Sequence, residues 1–133
     1  RVLIVDDDPR ILTVFAKELD AQLTISVCAT AAGGEQALET LSWRRHHIDV
    51  ILLDISMPGL NGIQTARAIH RKLPDLPIVM FTAFNDEKTL SEALTEGVKG
   101  LLQKTKVLRT SRLHSFALQR TCLPCPHTPL SFL

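Results

Sequence analysis

The sequence predicts an α/β fold in which a parallel sheet is covered on both faces by helices. Two observations carry this. Short apolar runs alternate with longer amphipathic stretches along residues 1–104, the pattern of parallel strands joined by helical crossovers. Four of those runs also end in a polar group: Val2-Leu3-Ile4-Val5 in Asp6-Asp7-Asp8, Val50-Ile51-Leu52-Leu53 in Asp54, Pro77-Ile78-Val79-Met80-Phe81 in Thr82, and Gly100-Leu101-Leu102-Gln103 in Lys104. Right-handed crossovers bring the C-terminal ends of such strands to one edge, where open sheets place their sites.

The elements follow in order. Val2–Val5 is the first strand. The first helix spans about Pro9 to Asp20, because proline suits a first helical turn and Asp8 before it can cap. Its apolar stripe is Ile11, Leu12, Phe15 and Leu19. Leu23–Ala29 reads as the second strand. Gly33-Gly34 opens a short helix with Ala37, Leu38 and Leu41 inward. Ile48–Leu53 is the third strand. Asn61 can cap a third helix in which Ile63, Ala66, Ile69 and Leu73 recur at helical steps and which Pro74 ends. Ile78–Phe81 is the fourth strand. Asn85 can cap a fourth helix that buries Leu90, Ala93 and Leu94 and closes at Gly97. Lys99–Gln103 is the fifth strand. Beyond Lys104 the pattern weakens.

The chain has 133 residues, enough for one domain with a real core. Residues 1–96 carry 14 acids and nine Lys or Arg, a balance of −5, whereas residues 97–133 carry no acid and six cations, +6. Three of the seven prolines fall in the last ten residues. The shift divides the chain into a core over 1–105, an atypical fifth helix over 106–121 and an irregular tail over 122–133. No apolar run reaches the roughly 18 residues that span a bilayer, so no membrane role is expected. No signal peptide is visible. The chain starts inside a strand without an initiator Met, as if trimmed. Three cysteines are too few for a disulfide framework, and the cytoplasm is the expected compartment.

Asp54 carries the functional argument. An unpaired charge costs several kcal/mol to bury, so a carboxylate ending an all-apolar run should face a polar site. Asp6, Asp7, Asp54, Thr82 and Lys104 would converge at one sheet edge. Clustered carboxylates repel one another unless a cation sits among them. An all-oxygen donor set suits Mg²⁺. Lys104 adds one positive charge and Thr82 a hydroxyl, the provisions that phosphoryl transfer requires. Asp54 would be the nucleophile.

At this order and spacing the residues resemble the receiver domain of bacterial two-component response regulators, over residues 1–104. The carrying motifs are Val5-Asp6-Asp7, the segment Leu53-Asp54-Ile55-Ser56-Met57-Pro58-Gly59-Leu60-Asn61-Gly62, Thr82-Ala83, and Lys104. The continuation Gly62-Ile63-Gln64-Thr65-Ala66 looks most like the NarL/LuxR-type subfamily. The resemblance implies a flavodoxin-like, doubly wound five-stranded parallel sheet of order 2-1-3-4-5. It implies Asp54 as phosphoacceptor and a Mg²⁺ ion on Asp7, Asp54 and the Ser56 carbonyl, with Asp6 acting partly through water. Lys104 would pair with the phosphoryl group and Thr82 would be the switch hydroxyl. The implied partners are a sensor histidine kinase and, through an output domain outside this chain, DNA. Many receivers carry Tyr, Phe or His where this chain has Leu101, which has no ring to turn with Thr82. Thr105, not proline, follows Lys104, and no acid starts the fifth helix.

Other motifs read more plainly. His46-His47 beside Trp43-Arg44-Arg45 is expected to be a solvated loop with Trp43 partly packed. Cys28 is expected to be a buried small hydrophobe. Cys122-x-x-Cys125-x-His127 lacks a fourth ligand for zinc. Lys106, Arg109, Arg112 and Arg120 show no recognition-helix pattern. A thin stripe of Leu113, Phe116 and Ala117 would cover its share of the sheet poorly, so a homo-oligomer is expected through that face. The rival functions are a stand-alone receiver acting by protein contact, a phosphatase of the haloacid dehalogenase type and a flavin carrier. The phosphatase would need an acid where Ser56 stands. The flavin carrier would need a phosphate loop after the first strand.

Overall fold

A computed structural model describes residues 1–83, 87–104 and 123–124. The elements are β1 (Val2–Val5), α1 (Pro9–Asp20), β2 (Val27–Ala31), α2 (Gly34–Arg44), a 3-10 turn (Arg45–His47), β3 (Val50–Asp54), α3 (Gly62–Lys72), β4 (Ile78–Thr82), α4 (Glu87–Thr95), β5 (Gly100–Gln103) and β6 (Leu123–Pro124). β1 to β5 form a parallel sheet in the order 2-1-3-4-5, as expected.

Alternation along the strands explains why the runs are apolar throughout. Leu3, Val5, Ile51, Leu53, Ile78 and Met80 face one layer with Ala37, Leu41, Ala66, Ile69 and Ala93 of α2, α3 and α4. Ile4, Leu52, Val79, Phe81 and Leu102 face the other, against Phe15 and Leu19 of α1. A strand covered on both faces has no solvent side to make polar.

The helix ends follow the local chemistry. Asp8 caps α1 by accepting from the Arg10 amide at 2.9 Å, with Pro9 in the first turn. Asn61 caps α3 through a reciprocal pair: its side chain accepts from the Gln64 amide at 2.9 Å, and Gln64 accepts from the Asn61 amide at 3.0 Å. After α4 the chain turns at Gly97, whose φ of +83° suits glycine. That turn is clasped to α3. Arg67 donates to Glu96 Oε1 at 2.6 and 3.0 Å, and His70 Nδ1 lies 2.6 Å from the Glu96 carbonyl oxygen. Asn85, expected as a cap, and the fifth helix expected over 106–121 lie outside the described residues.

Four expectations need correction. β2 spans Val27–Ala31, not 23–29, and Leu23 is exposed. Val2, the first residue of β1, pairs with Val27 and its amide donates to the Ser26 carbonyl at 2.8 Å, so β1 has no residue left to pair with the chain upstream. Trp43 is 82% exposed rather than partly packed. It lies two residues past inward-facing Leu41, about 200° around the helix at 3.6 residues per turn, and so points away from the core. Cys28 is only half-buried, its Sγ 3.4 Å from the Val2 carbonyl oxygen. Finally, Leu123–Pro124 is not irregular. It adds a short antiparallel strand beside β5, pairing Gly100 with Pro124 and Leu101 with Leu123. Proline is tolerated there because the strand is at the sheet edge.

Candidate functional site

The C-terminal ends of β1, β3, β4 and β5 deliver Asp6, Asp54, Thr82 and Lys104 to one edge of the sheet. Asp6 is fully buried. Its Oδ1 accepts from the Asp8 amide at 2.9 Å. Its Oδ2 stands 2.5 Å from the Lys104 ammonium yet accepts no well-directed hydrogen bond, so that pairing is ionic. Lys104 Nζ also lies 3.1 Å from Asp54 Oδ1. It sits 5.2 Å from the centroid of the Phe81 ring, which packs at 4.3 Å against Phe15 of α1. The ammonium is thus held by two carboxylates and an aromatic face.

Asp54 is 3% exposed. Burial pushes its carboxyl up to about 6; the Lys104 charge opposes this, the Asp6 charge adds to it, and hydrogen bonds from Lys104 and the Ser56 backbone oppose it. Asp7 is exposed at the mouth, and Ser56 is exposed on the loop after β3. Oxygens of Asp6, Asp7 and Asp54 all lie within 4.8 Å of one another. Three carboxylates against one ammonium leave excess negative charge, and every clustered donor is an oxygen. With Asp6 Oδ2 unsatisfied by hydrogen bonding, the set fits a hard divalent cation.

The loop after β3 is held close by Gly62. Its amide donates to the Ile55 carbonyl at 2.8 Å. A Cβ at Gly62 would sit 2.1 Å from the Asp54 carbonyl oxygen and 2.6 Å from Ile55 Cα. Ile55 and Met57 are buried beneath the loop. Thr82 is buried at the end of β4, opposite Gln103, and Phe81 lies opposite Asp54.

All five clustered side chains named from the sequence therefore lie at this edge, with Ser56 beside them. Sequence reasoning missed the support from Phe81 and Gly62. The signal for Phe81 was a ring directly before Thr82. For Gly62 it was a glycine at the first helical position after a capping Asn, where a side chain would ordinarily be tolerated.

Comparison with known proteins agrees with this geometry. The response regulator receiver domain profile matches residues 2–115. The chain is 34% identical over 104 residues to the transcriptional regulatory protein LnrK of Bacillus subtilis, covering 78% of this chain and 46% of that protein. It is 34% identical over 103 residues to the nitrate/nitrite response regulator protein NarL of Escherichia coli K12, covering 77% and 47%. Among solved structures, the isolated REC domain of RcsB from Salmonella enterica serovar Typhimurium with phosphomimetic BeF3⁻ superposes with a TM-score of 0.74 at 27% identity, covering 90% and 87%. A chain of the CheX-CheY-BeF3-Mg complex from Borrelia burgdorferi gives 0.73 at 28% identity, covering 81% of this chain and 83% of that one.

The chain belongs to the response regulator receiver domain family, whose members act as phosphoacceptors in signalling. It spans about half the length of the regulators it matches.

Proposed function

We propose that Asp54 accepts a phosphoryl group from the phosphohistidine of a sensor histidine kinase. The observation that carries this is the position of Asp54 Oδ1, 3.1 Å from Lys104 Nζ at a sheet edge it shares with Asp6 and Asp7. An Asp54 oxygen attacks phosphorus and an O–P bond forms. The P–N bond breaks, and the departing imidazole nitrogen takes a proton from solvent. With its carboxyl at about 6, Asp54 is mostly ionised at neutral pH and ready to attack.

Lys104 then exchanges a carboxylate partner for a phosphoryl oxygen, with Phe81 keeping the ammonium in place. The Thr82 hydroxyl, buried at the end of β4, would donate to a second phosphoryl oxygen. Asp7, Asp54 and the Ser56 carbonyl, with Asp6 through water, would hold Mg²⁺, which supplies positive charge against the phosphoryl oxygens. The Mg in the complex containing Borrelia CheY supports this choice.

The output of the whole protein is read as DNA-binding transcription regulation, on the likeness to NarL and LnrK. A cytoplasmic place fits the kinase partner. Among the described residues no helix is long and apolar enough to cross a membrane. Incubation with acetyl phosphate and Mg²⁺ should add one acid-labile phosphoryl group to the chain, and none to Asp54→Asn. Full labelling of that variant would reject the assignment.

A further inference from the structure

We propose that the crevice between the C-terminal ends of α2 and α3, at the sheet edge away from Asp54, binds a small organic anion with an apolar body, such as an alkyl carboxylate. The cavity has a volume of about 310 Å³, at the lower end of the range for small-molecule sites. Leu38, Leu41, Ile69 and Leu73 give it an apolar lining. Trp43 lines it too and is 82% exposed. A bare indole beside an apolar hollow marks a surface that gains by being covered.

Ser42, Arg45, His46 and Lys72 give it a polar side. Among the described residues neither Arg45 nor Lys72 has a carboxylate partner within 4.0 Å, and Arg45 hydrogen-bonds to the His46 ring at 3.2 Å. Both cations also line an adjoining hollow that holds Asp49 and Asp75. Asp49 is already paired with the Arg1 amine at 2.9 Å, which leaves two cations against one free carboxylate. Helix dipoles account for cations at these helix ends. They do not account for an apolar cavity beside an uncovered indole. A purely apolar guest would leave the charges unanswered, and a small hydrophilic anion would gain nothing from the leucines. The cavity therefore selects a ligand with both features.

Trp43 is the only tryptophan and the chain has no tyrosine, so selectively excited emission reports on this cavity alone. Octanoate is the probe, with octanol and acetate as the halves of its chemistry. Titrating octanoate into the intact chain should shift Trp43 emission to the blue and saturate. Octanol and acetate should each bind at least about tenfold more weakly, as should octanoate to Lys72→Glu and Arg45→Glu. Acetyl phosphate labelling should be the same in these variants as in the parent, which shows that they fold and separates this site from Asp54. A shift that never saturates, octanol binding as tightly as octanoate, or full octanoate affinity in both charge-reversed variants would overturn the proposal.

Discussion

The Lys104 ammonium bridges Asp6 Oδ2 at 2.5 Å and Asp54 Oδ1 at 3.1 Å, so a single cation answers two buried carboxylates. The site is under-neutralised as it stands. Its stability and its reactivity are therefore linked.

Asp54 holds its proton more tightly in the folded chain, at about 6, than the ordinary value of 3.8. Its ionisation opposes folding. The Asp54 contribution to stability is greatest below about pH 4, falls as pH rises toward about 6 and stays reduced above it, by roughly 3 kcal/mol at 1.36 kcal/mol per pH unit. Asp54→Asn should raise the stability of the metal-free chain at neutral pH by about 2 kcal/mol and flatten that slope. Urea unfolding across the range measures both, and an Asn variant with an unchanged slope would refute the account.

Lys104→Met should leave Asp6 and Asp54 without their shared cation. Removing one partner of a buried pair costs about 3 kcal/mol, read as a lower urea midpoint. Adding Asp6→Asn should recover most of the loss, because the charge left unanswered is then removed. A double variant no more stable than Lys104→Met would point to lost packing on Phe81 instead.

Gly62→Ala should move the backbone of Asp54 itself, given the 2.1 Å approach to its carbonyl oxygen. We expect a loss of about 2 kcal/mol and a fall in acetyl phosphate labelling well beyond what that loss explains. Gly33→Ala serves as the control, since nothing lies within 4 Å of its Cβ position. Equal labelling rates for the two variants would argue against a positioning role.

Mg²⁺ should raise the melting temperature of the parent chain by binding the folded state alone. Asp7→Asn should abolish the rise while stabilising the metal-free chain modestly through reduced repulsion. Differential scanning calorimetry with and without Mg²⁺ tests this. A full Mg²⁺ response in the variant would move the ion elsewhere.

The strand ends were legible because burial on both faces leaves Asp6, Asp54 and Thr82 conspicuous against apolar runs. Caps were legible where one residue does the work, as at Asp8 and Asn61. The limits of β2 were not, since Leu23-Thr24-Ile25 has strand composition and only the register with Val2 excludes it. Trp43 misled for a related reason: hydrophobicity predicts burial, but its angular distance from Leu41 decides its side of the helix. The pairing of Leu123–Pro124 with β5 joins residues more than twenty positions apart, and no local pattern announces it. The support that Phe81 gives Lys104 is likewise a contact across strands, visible only once β4 and β5 are aligned.

The clasp of Arg67 and His70 on Glu96 has a mechanical meaning. β5 is fixed along its run: the clasp on Glu96 ties the turn before it to α3, and β4 pairs with it from Gly100 to Gln103. Lys104 therefore leaves the sheet from a braced strand, and a change of charge at Asp54 falls first on its ammonium.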